Sequence, residues 1–120
     1  MTQLITRPHI MALEQAIKAQ PQVPMPVTHH FDAGVYQRVG VLTADTVATG
    51  AIHRYASTFI LAKGEMLLLT EDGPIHIQAP YATVSPPGTK RVMYAITDCT
   101  LIAVLETNLT TPEEVEAAFV

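Results

Sequence analysis

One stretch decides the fold, residues 50–64, which read GAIHRYASTFILAKG. Its β-branched and aromatic residues, followed by a Lys-Gly pair, predict a strand near residues 52–61 that ends in a tight turn. Successive side chains of a strand point to opposite faces, so His53, Tyr55 and Ser57 share one face. Farther along the strand this face becomes apolar, which is typical of a pocket with a wet mouth and an apolar floor.

The second informative motif is PPGTKR, at Pro86–Arg91. Two prolines with a restricted φ precede a glycine that tolerates any φ, so the turn fixes where Arg91 enters the next strand. If the two strands pack together, Arg91 meets His53 and Tyr55 in one pocket. A guanidinium offers paired N–H donors that fit a carboxylate or a phosphate. We therefore predict a small anionic ligand, bound by His53, Tyr55, Arg91 and Ser57.

Two of these residues have a purely structural alternative. His53 would then be a half-buried, hydrogen-bonded histidine without a ligand. Arg91 would pair with an acid or donate a hydrogen bond to loop carbonyls, because charges taken out of water are generally paired. The candidate acids are Asp32, Asp45 and Glu106. Lys90 alternates with Arg91 along the chain and is expected to face solvent.

The chain from His30 onward predicts an all-β domain. Short segments rich in Val, Ile, Thr and Tyr alternate with turn residues every eight to twelve positions, which is typical of an antiparallel sandwich or barrel. The Asp72-Gly73 pair gives the strongest hairpin signal. The strands are predicted near residues 35–42, 47–49, 52–61, 65–70, 74–79, 82–85, 91–96 and 99–106.

A short helix is predicted at each end of the chain. Residues 8–20 carry apolar side chains at helical spacing, and the helix stops where a proline-rich extended segment begins. Near the C-terminus, Thr111 and Glu114 form a capping box, with Pro112 at the first helical position. The predicted organisation is one domain over residues 1–120, namely an N-terminal helix and prolyl arm (1–28), a barrel (30–107) and a C-terminal helix (111–120).

Composition argues against several classes of partner. The net charge is −4 and no run of like charges occurs, which argues against binding nucleic acid or an anionic membrane surface. No apolar run approaches the ~20 residues that cross a bilayer, and no secretory signal is visible. The single cysteine, Cys99, lies in an apolar strand and is expected to be buried. We expect a cytoplasmic protein.

Over residues 34–107 these motifs resemble those of the cupin superfamily. Cupins are small antiparallel jelly-roll β-barrels that often hold one metal ion between two motifs, one with His-x-His and a later Glu, the other Pro-x-Gly-x-x-His. Pro86 and Gly88 match the second motif in spacing, and Arg91 stands in its histidine position. The wider pattern also looks like small cupin-like proteins common in bacteriophage and bacterial genomes. The resemblance implies a cupin-type jelly-roll barrel with short flanking helices.

The departures from the family pattern fall on the metal ligands. In the first motif His53 is retained, Tyr55 replaces the second histidine, and no carboxylate stands near the position of the glutamate. Arg91 cannot replace a histidine ligand, because a protonated guanidinium has no lone pair to offer. We therefore expect no cofactor. A divalent transition metal would need a rebuilt site in which His53 is joined by His30 or His76.

Three functions from different classes remain open. The first is a non-catalytic cupin with a degenerate metal motif that binds a small anionic ligand. The second is a metal-dependent cupin enzyme, an isomerase, lyase or oxygenase, with a rebuilt histidine site. The third is a structural or assembly protein, for instance one encoded by a bacteriophage and acting in the host cytoplasm. We expect a homodimer or larger oligomer, because both faces of strand 52–61 carry apolar residues.

Overall fold

In the computed structural model, two antiparallel β-sheets face each other and a short helix lies near each end of the chain. The structure describes residues 7–19, 25–49, 54–71 and 73–120. The strands are β1 (Val27–Asp32), β2 (Val35–Leu42), β3 (Val47–Thr49), β4 (Ser57–Lys63), β5 (Glu65–Thr70), β6 (Gly73–Gln78), β7 (Tyr81–Ser85), β8 (Val92–Ala95) and β9 (Cys99–Glu106), and the helices are α1 (Arg7–Lys18) and α2 (Pro112–Phe119). The five-stranded sheet has the order β1-β2-β9-β4-β7, and the four-stranded sheet has the order β3-β8-β5-β6. The predicted all-β class with two flanking helices is confirmed.

Most of the predicted strands are confirmed at or near their bounds. β2, β3, β5 and β9 begin and end where the alternation of side chains predicts. The strand predicted near residues 52–61 begins later, because β4 starts at Ser57 and residues 54–56 lie outside any strand. The predicted inward set of this strand is confirmed for Ser57, Phe59 and Leu61, which lie opposite inward-facing residues of β7 and β9.

The edge strand β1 is not predicted by the sequence pattern. It follows Pro26 directly, and the Pro26 carbonyl accepts a hydrogen bond from the Val41 amide at 3.0 Å. Proline is tolerated here because an edge strand leaves amide positions that need no partner in the sheet. The end of the predicted prolyl arm therefore leads into the five-stranded sheet, whereas its residues 21–24 lie outside the described part of the chain.

The turn between β4 and β5 depends on Gly64. Its φ is +98°, a conformation that residues with a side chain rarely adopt. A Cβ atom at this position would lie 2.3 Å from the Asp98 carbonyl oxygen and 2.8 Å from the Cys99 sulfur. The absence of a side chain thus lets this turn pack against the connection between β8 and β9. Gly73, in the second predicted hairpin turn, also has a positive φ, +111°.

The two sheets enclose two separate hydrophobic clusters. The larger fills one end of the barrel and consists of Leu42, Leu61, Met66, Leu68, Ile77, Ala95, Cys99 and Leu101. The smaller lies at the other end of β2 and β9, where Tyr36 and Leu105 pack against Val115 of α2. The burial of Cys99 is confirmed, and burial raises the pKa of its thiol.

Helix α2 covers the second cluster, as its sequence predicts. The Thr111 hydroxyl accepts a hydrogen bond from the Glu114 amide at 3.2 Å, and Pro112 occupies the first turn. At the far end of the helix, the Arg54 amide donates to the Phe119 carbonyl at 2.6 Å. These contacts hold α2 across one end of the barrel. In the described residues, no helix is long and apolar enough to cross a membrane.

The outer face of the five-stranded sheet is apolar and partly exposed. Val39, Ile102 and Ile60 lie side by side in one row on this face, and Val84 is well exposed nearby. Both faces of β4 therefore carry apolar side chains, which is the observation on which the predicted oligomer rests. The homodimer or larger oligomer stays a prediction.

Replacing Gly64 should test the close packing at the first turn. We expect Gly64→Ala to destabilise the protein by about 1–3 kcal/mol more than Gly73→Ala, because the new methyl group overlaps fixed backbone. Gly73→Ala is the matched control, since φ is positive there too but a Cβ atom would meet nothing within 4 Å. Urea unfolding of both variants measures the difference, and equal losses would contradict the packing described here.

Candidate functional site

A cavity of about 540 Å³ lies between the two sheets and beneath α2. This volume falls within the range of pockets that hold small molecules. Its walls come from β2, β4, β9 and the end of β7 on one side, from β3 and β8 on the other, and from α2 above. The cavity separates the two hydrophobic clusters of the barrel.

The cavity is open because a small residue stands in the middle of the five-stranded sheet. Strand pairing places five inward-facing residues directly opposite one another in a single row, His29, Arg38, Ala103, Phe59 and Thr83. We call this the central row. Its middle residue, Ala103, has only a methyl group, so the larger side chains at the sides of the row leave space over it. The next inward residue of β2 beyond Arg38 is Gly40, and the Met25 side chain lies against it.

Arg91 enters the cavity from the segment just before β8. One guanidinium nitrogen, Nη2, donates a hydrogen bond to the Ser85 hydroxyl at 2.7 Å, and the guanidinium carbon lies 5.0 Å from the centre of the Phe59 ring. The side chain is half-buried, and burial lowers the pKa of its guanidinium while Tyr81 opposes part of this effect. The Pro-Pro-Gly turn thus delivers a desolvated cation to the cavity wall.

No carboxylate neutralises Arg91 within the described part of the chain. Of the acids that the sequence offers as partners, Asp45 instead accepts a hydrogen bond from the Tyr94 hydroxyl at 2.7 Å. Asp32 and Glu106 lie on exposed positions at the ends of β1 and β9. The structural alternative for Arg91, an internal ion pair with one of these three acids, is therefore wrong for the residues described.

His29 and Tyr36 form a hydrogen-bonded pair on another part of the cavity wall. The distance from the Tyr36 hydroxyl to His29 Nδ1 is 2.5 Å, and the two rings stack with their centres 5.8 Å apart. Burial raises the pKa of the Tyr36 hydroxyl, and the charge of Arg38 opposes part of this rise. The hydrogen bond occupies Nδ1, which leaves the other ring nitrogen of His29, Nε2, without a hydrogen-bond partner among the described residues.

Two of the four predicted binding residues line the cavity. Arg91 does so, and so does the buried side chain of Ser57. Tyr55 does not: it is 57% exposed and packs edge-to-face against Phe119, with ring centres 5.1 Å apart. It leaves the wall because β4 starts only at Ser57, so strand alternation does not extend back to Tyr55. His53 lies outside the described residues.

Three further polar predictions can be compared with the structure. His30 lies opposite Gln37 on the outer side of β1 and is exposed. His76 is exposed on β6 and pairs with Glu65, so neither of these histidines reaches the cavity. The prediction that Lys90 faces solvent is wrong, since it is only 6% exposed. Strand alternation does not apply there, because β8 begins two residues later.

Three residues that line the cavity are not predicted from the sequence, namely Arg38, His29 and Tyr36. The signal for two of them is present in β2, whose inward face carries Tyr36, Arg38, Gly40 and Leu42 in alternation. An arginine beside a glycine on an otherwise apolar face indicates a lined void rather than a packed core. His29 has no comparable signal, because it becomes visible only when β1 is known to pair with β2.

The cavity does not fit the metal ion that a cupin motif would imply. Arg91 lines the cavity, and a guanidinium offers a positive charge and no lone pair. Within residues 7–19, 25–49, 54–71 and 73–120, no three histidine, cysteine, aspartate or glutamate side chains come together to form a metal site. His30 and His76 do not line the cavity, and His53 lies outside the described residues, so the rebuilt site with His30 or His76 stays a prediction.

Comparison with solved structures bears on the fold. A cupin superfamily protein from Desulfitobacterium hafniense superposes with a TM-score of 0.62 at 7% identity, covering 74% of this chain and 83% of that chain. An RmlC-like cupin family protein with a double-stranded β-helix fold, from Methanocaldococcus jannaschii, gives 0.59 at 18% identity, with 78% and 86% covered. The chain has the cupin fold. A Cupin 2 conserved barrel domain protein from Salinispora arenicola gives 0.60 at 14% identity, with 72% and 81% covered.

The cupin likeness extends to fold and not to sequence. No protein-family model and no curated protein matches the chain. At identities this low the superpositions confirm the predicted jelly-roll barrel and carry no reaction or ligand with them. The relation to bacteriophage proteins stays a prediction.

Removing the Arg91 charge should leave the stability of the protein almost unchanged. Arg91→Met keeps an apolar side chain over Phe59 and removes a half-buried cation that has no carboxylate partner. The variant loses a hydrogen bond and a cation–π contact, each worth about 1 kcal/mol. It also no longer buries a charge, and this gain offsets the loss. Thermal unfolding of Arg91→Met measures the balance. A loss of about 3–5 kcal/mol is expected if Arg91 instead neutralises a buried acid, and would contradict this account.

Proposed function

We propose that this chain is a non-catalytic cupin-fold protein that binds a small anionic ligand through Arg91. The observation that carries the proposal is a half-buried guanidinium, without a carboxylate partner among the described residues, that lines a cavity of about 540 Å³. Charges that leave water are stabilised by a partner of opposite sign. A bound carboxylate or phosphate would supply that partner.

The surroundings of Arg91 favour one orientation of its guanidinium. Phe59 lies beneath it, and Ser85 accepts one of its N–H groups, so two contacts fix the plane of the donors. Ser57, which lies opposite Ser85 in the strand pairing, adds a hydroxyl to the same wall. A preorganised donor set loses little conformational freedom on binding, which favours affinity.

The cavity itself favours binding over the two alternative functions. A barrel that serves only as a scaffold has no need of an open interior, and the small residue Ala103 leaves space in this one. A metal-dependent enzyme would need ligands that the described residues do not bring together. Ligand binding uses the residues that are present.

Calorimetric titration with valerate, inorganic phosphate and the neutral amide pentanamide tests the proposal. We expect at least one of the two anions to bind and pentanamide not to bind. Arg91→Lys should weaken the anion about tenfold or more, because lysine keeps the charge but loses the paired donors. The matched control is Arg54→Lys, an exposed arginine outside the cavity wall, which should leave the affinity unchanged. Equal effects of the two variants, or no binding of either anion, would contradict the proposal.

A further inference from the structure

A second arginine faces the same cavity from the opposite side of the central row. Arg38 on β2 and Phe59 on β4, which lies beneath the Arg91 guanidinium, are separated only by Ala103 on β9. Neighbouring strands lie about 4.8 Å apart, so the backbone positions of Arg38 and Phe59 are about 10 Å apart. Arg38 and the Phe59 ring beneath Arg91 therefore stand on either side of the Ala103 methyl group.

Arg38 is an unneutralised cation in the described structure. It lines the cavity and has no hydrogen-bond or ion-pair partner among the described residues. Directly opposite it in the strand pairing is His29, whose Nδ1 is occupied by the Tyr36 hydroxyl. This end of the cavity therefore offers the Arg38 guanidinium and the Nε2 atom of His29. The guanidinium has only donors, so it favours an anionic acceptor.

The surface between the two ends is apolar. Ala103 forms the middle of the central row, Leu101 is the next inward residue along β9, and Met93 faces them from the four-stranded sheet. None of these side chains has a hydrogen-bond donor or acceptor of the kind a charged group requires. A ligand that reaches from one arginine to the other would therefore need a hydrocarbon middle.

We propose that the cavity binds a linear dicarboxylate with a short apolar chain. One carboxylate would lie at Arg91 and Ser85, the other at Arg38 and His29, and the chain would cross Ala103. The proposal rests on the proposed anion binding at Arg91 and adds a second anionic subsite to it.

Glu116 places a negative charge at the cavity wall, which should oppose the binding of an anion. Of the described residues that line the cavity, it is the acidic one, and it stands exposed on α2. A carboxylate at the cavity wall repels an anionic ligand, and the repulsion grows with the charge of the ligand. Glu116→Gln should therefore strengthen the binding of a dicarboxylate more than that of a monocarboxylate.

Paired titrations of chain-matched acids test the second subsite. Glutarate and valerate share five carbons and differ in one carboxylate, and succinate and adipate bracket the length. We expect the best dicarboxylate to bind about tenfold or more tightly than its matched monocarboxylate, the increment of one charge-assisted hydrogen bond. Arg38→Gln should remove most of this advantage, because it weakens the binding of the diacid by a larger factor than the binding of valerate. Arg38 is exposed, and circular dichroism verifies that the variant is folded.

The outcomes separate this inference from the function on which it rests. If diacids and monoacids bind equally, or if Arg38→Gln weakens both by the same factor, the second subsite does not exist while anion binding at Arg91 stands. If Arg91→Lys has no effect on either class, the proposed function fails and the dicarboxylate proposal fails with it. An advantage of the diacid that largely disappears in Arg38→Gln and grows in Glu116→Gln supports the two-ended site.

Discussion

The half-buried guanidinium of Arg91 is the feature on which the proposed ligand binding by this barrel depends. Burial lowers the pKa of Arg91, because the surroundings of the guanidinium solvate its charge less well than water does. Phe59 and Ser85 hold the group in place without neutralising it. In an ordinary core such a charge would be paired or absent. Here it faces a void, so the missing partner has room to be a ligand.

The void is a consequence of side-chain size along the five-stranded sheet. Large residues fill one end of the barrel, and Tyr36, Leu105 and Val115 close the other beneath α2. Between these clusters the inward position of β9 carries Ala103, whose methyl group leaves a gap that the opposite sheet does not fill. The barrel thus has an interior cavity, and the Arg91 guanidinium at its wall favours an anion there.

The sequence predicts the strands that surround this cavity better than the side chains that line it. Turn residues and alternation give β2, β5 and β9 their bounds, and the Pro-Pro-Gly turn correctly brings Arg91 inside. The local sequence pattern does not predict β1, which follows a proline-rich segment. The inward position of His29 therefore cannot be inferred until β1 is known to pair with β2. Tyr55 and Lys90 fail for a different reason: each precedes the first residue of its strand, so strand alternation does not set where its side chain points.

The stability of Ala103→Leu tests most directly whether this space is open and used. A leucine at the centre of the central row would project into the cavity, between the two arginines. If the space is empty, the added methylenes gain apolar contacts, so the unfolding midpoint of the variant should equal or exceed that of the wild type. Valerate should raise the midpoint of the wild type and no longer raise that of the variant. An overpacked core loses about 1–3 kcal/mol when methylenes are added. A loss of that size, with the shift by valerate retained, would contradict an open cavity that binds its ligand across Ala103.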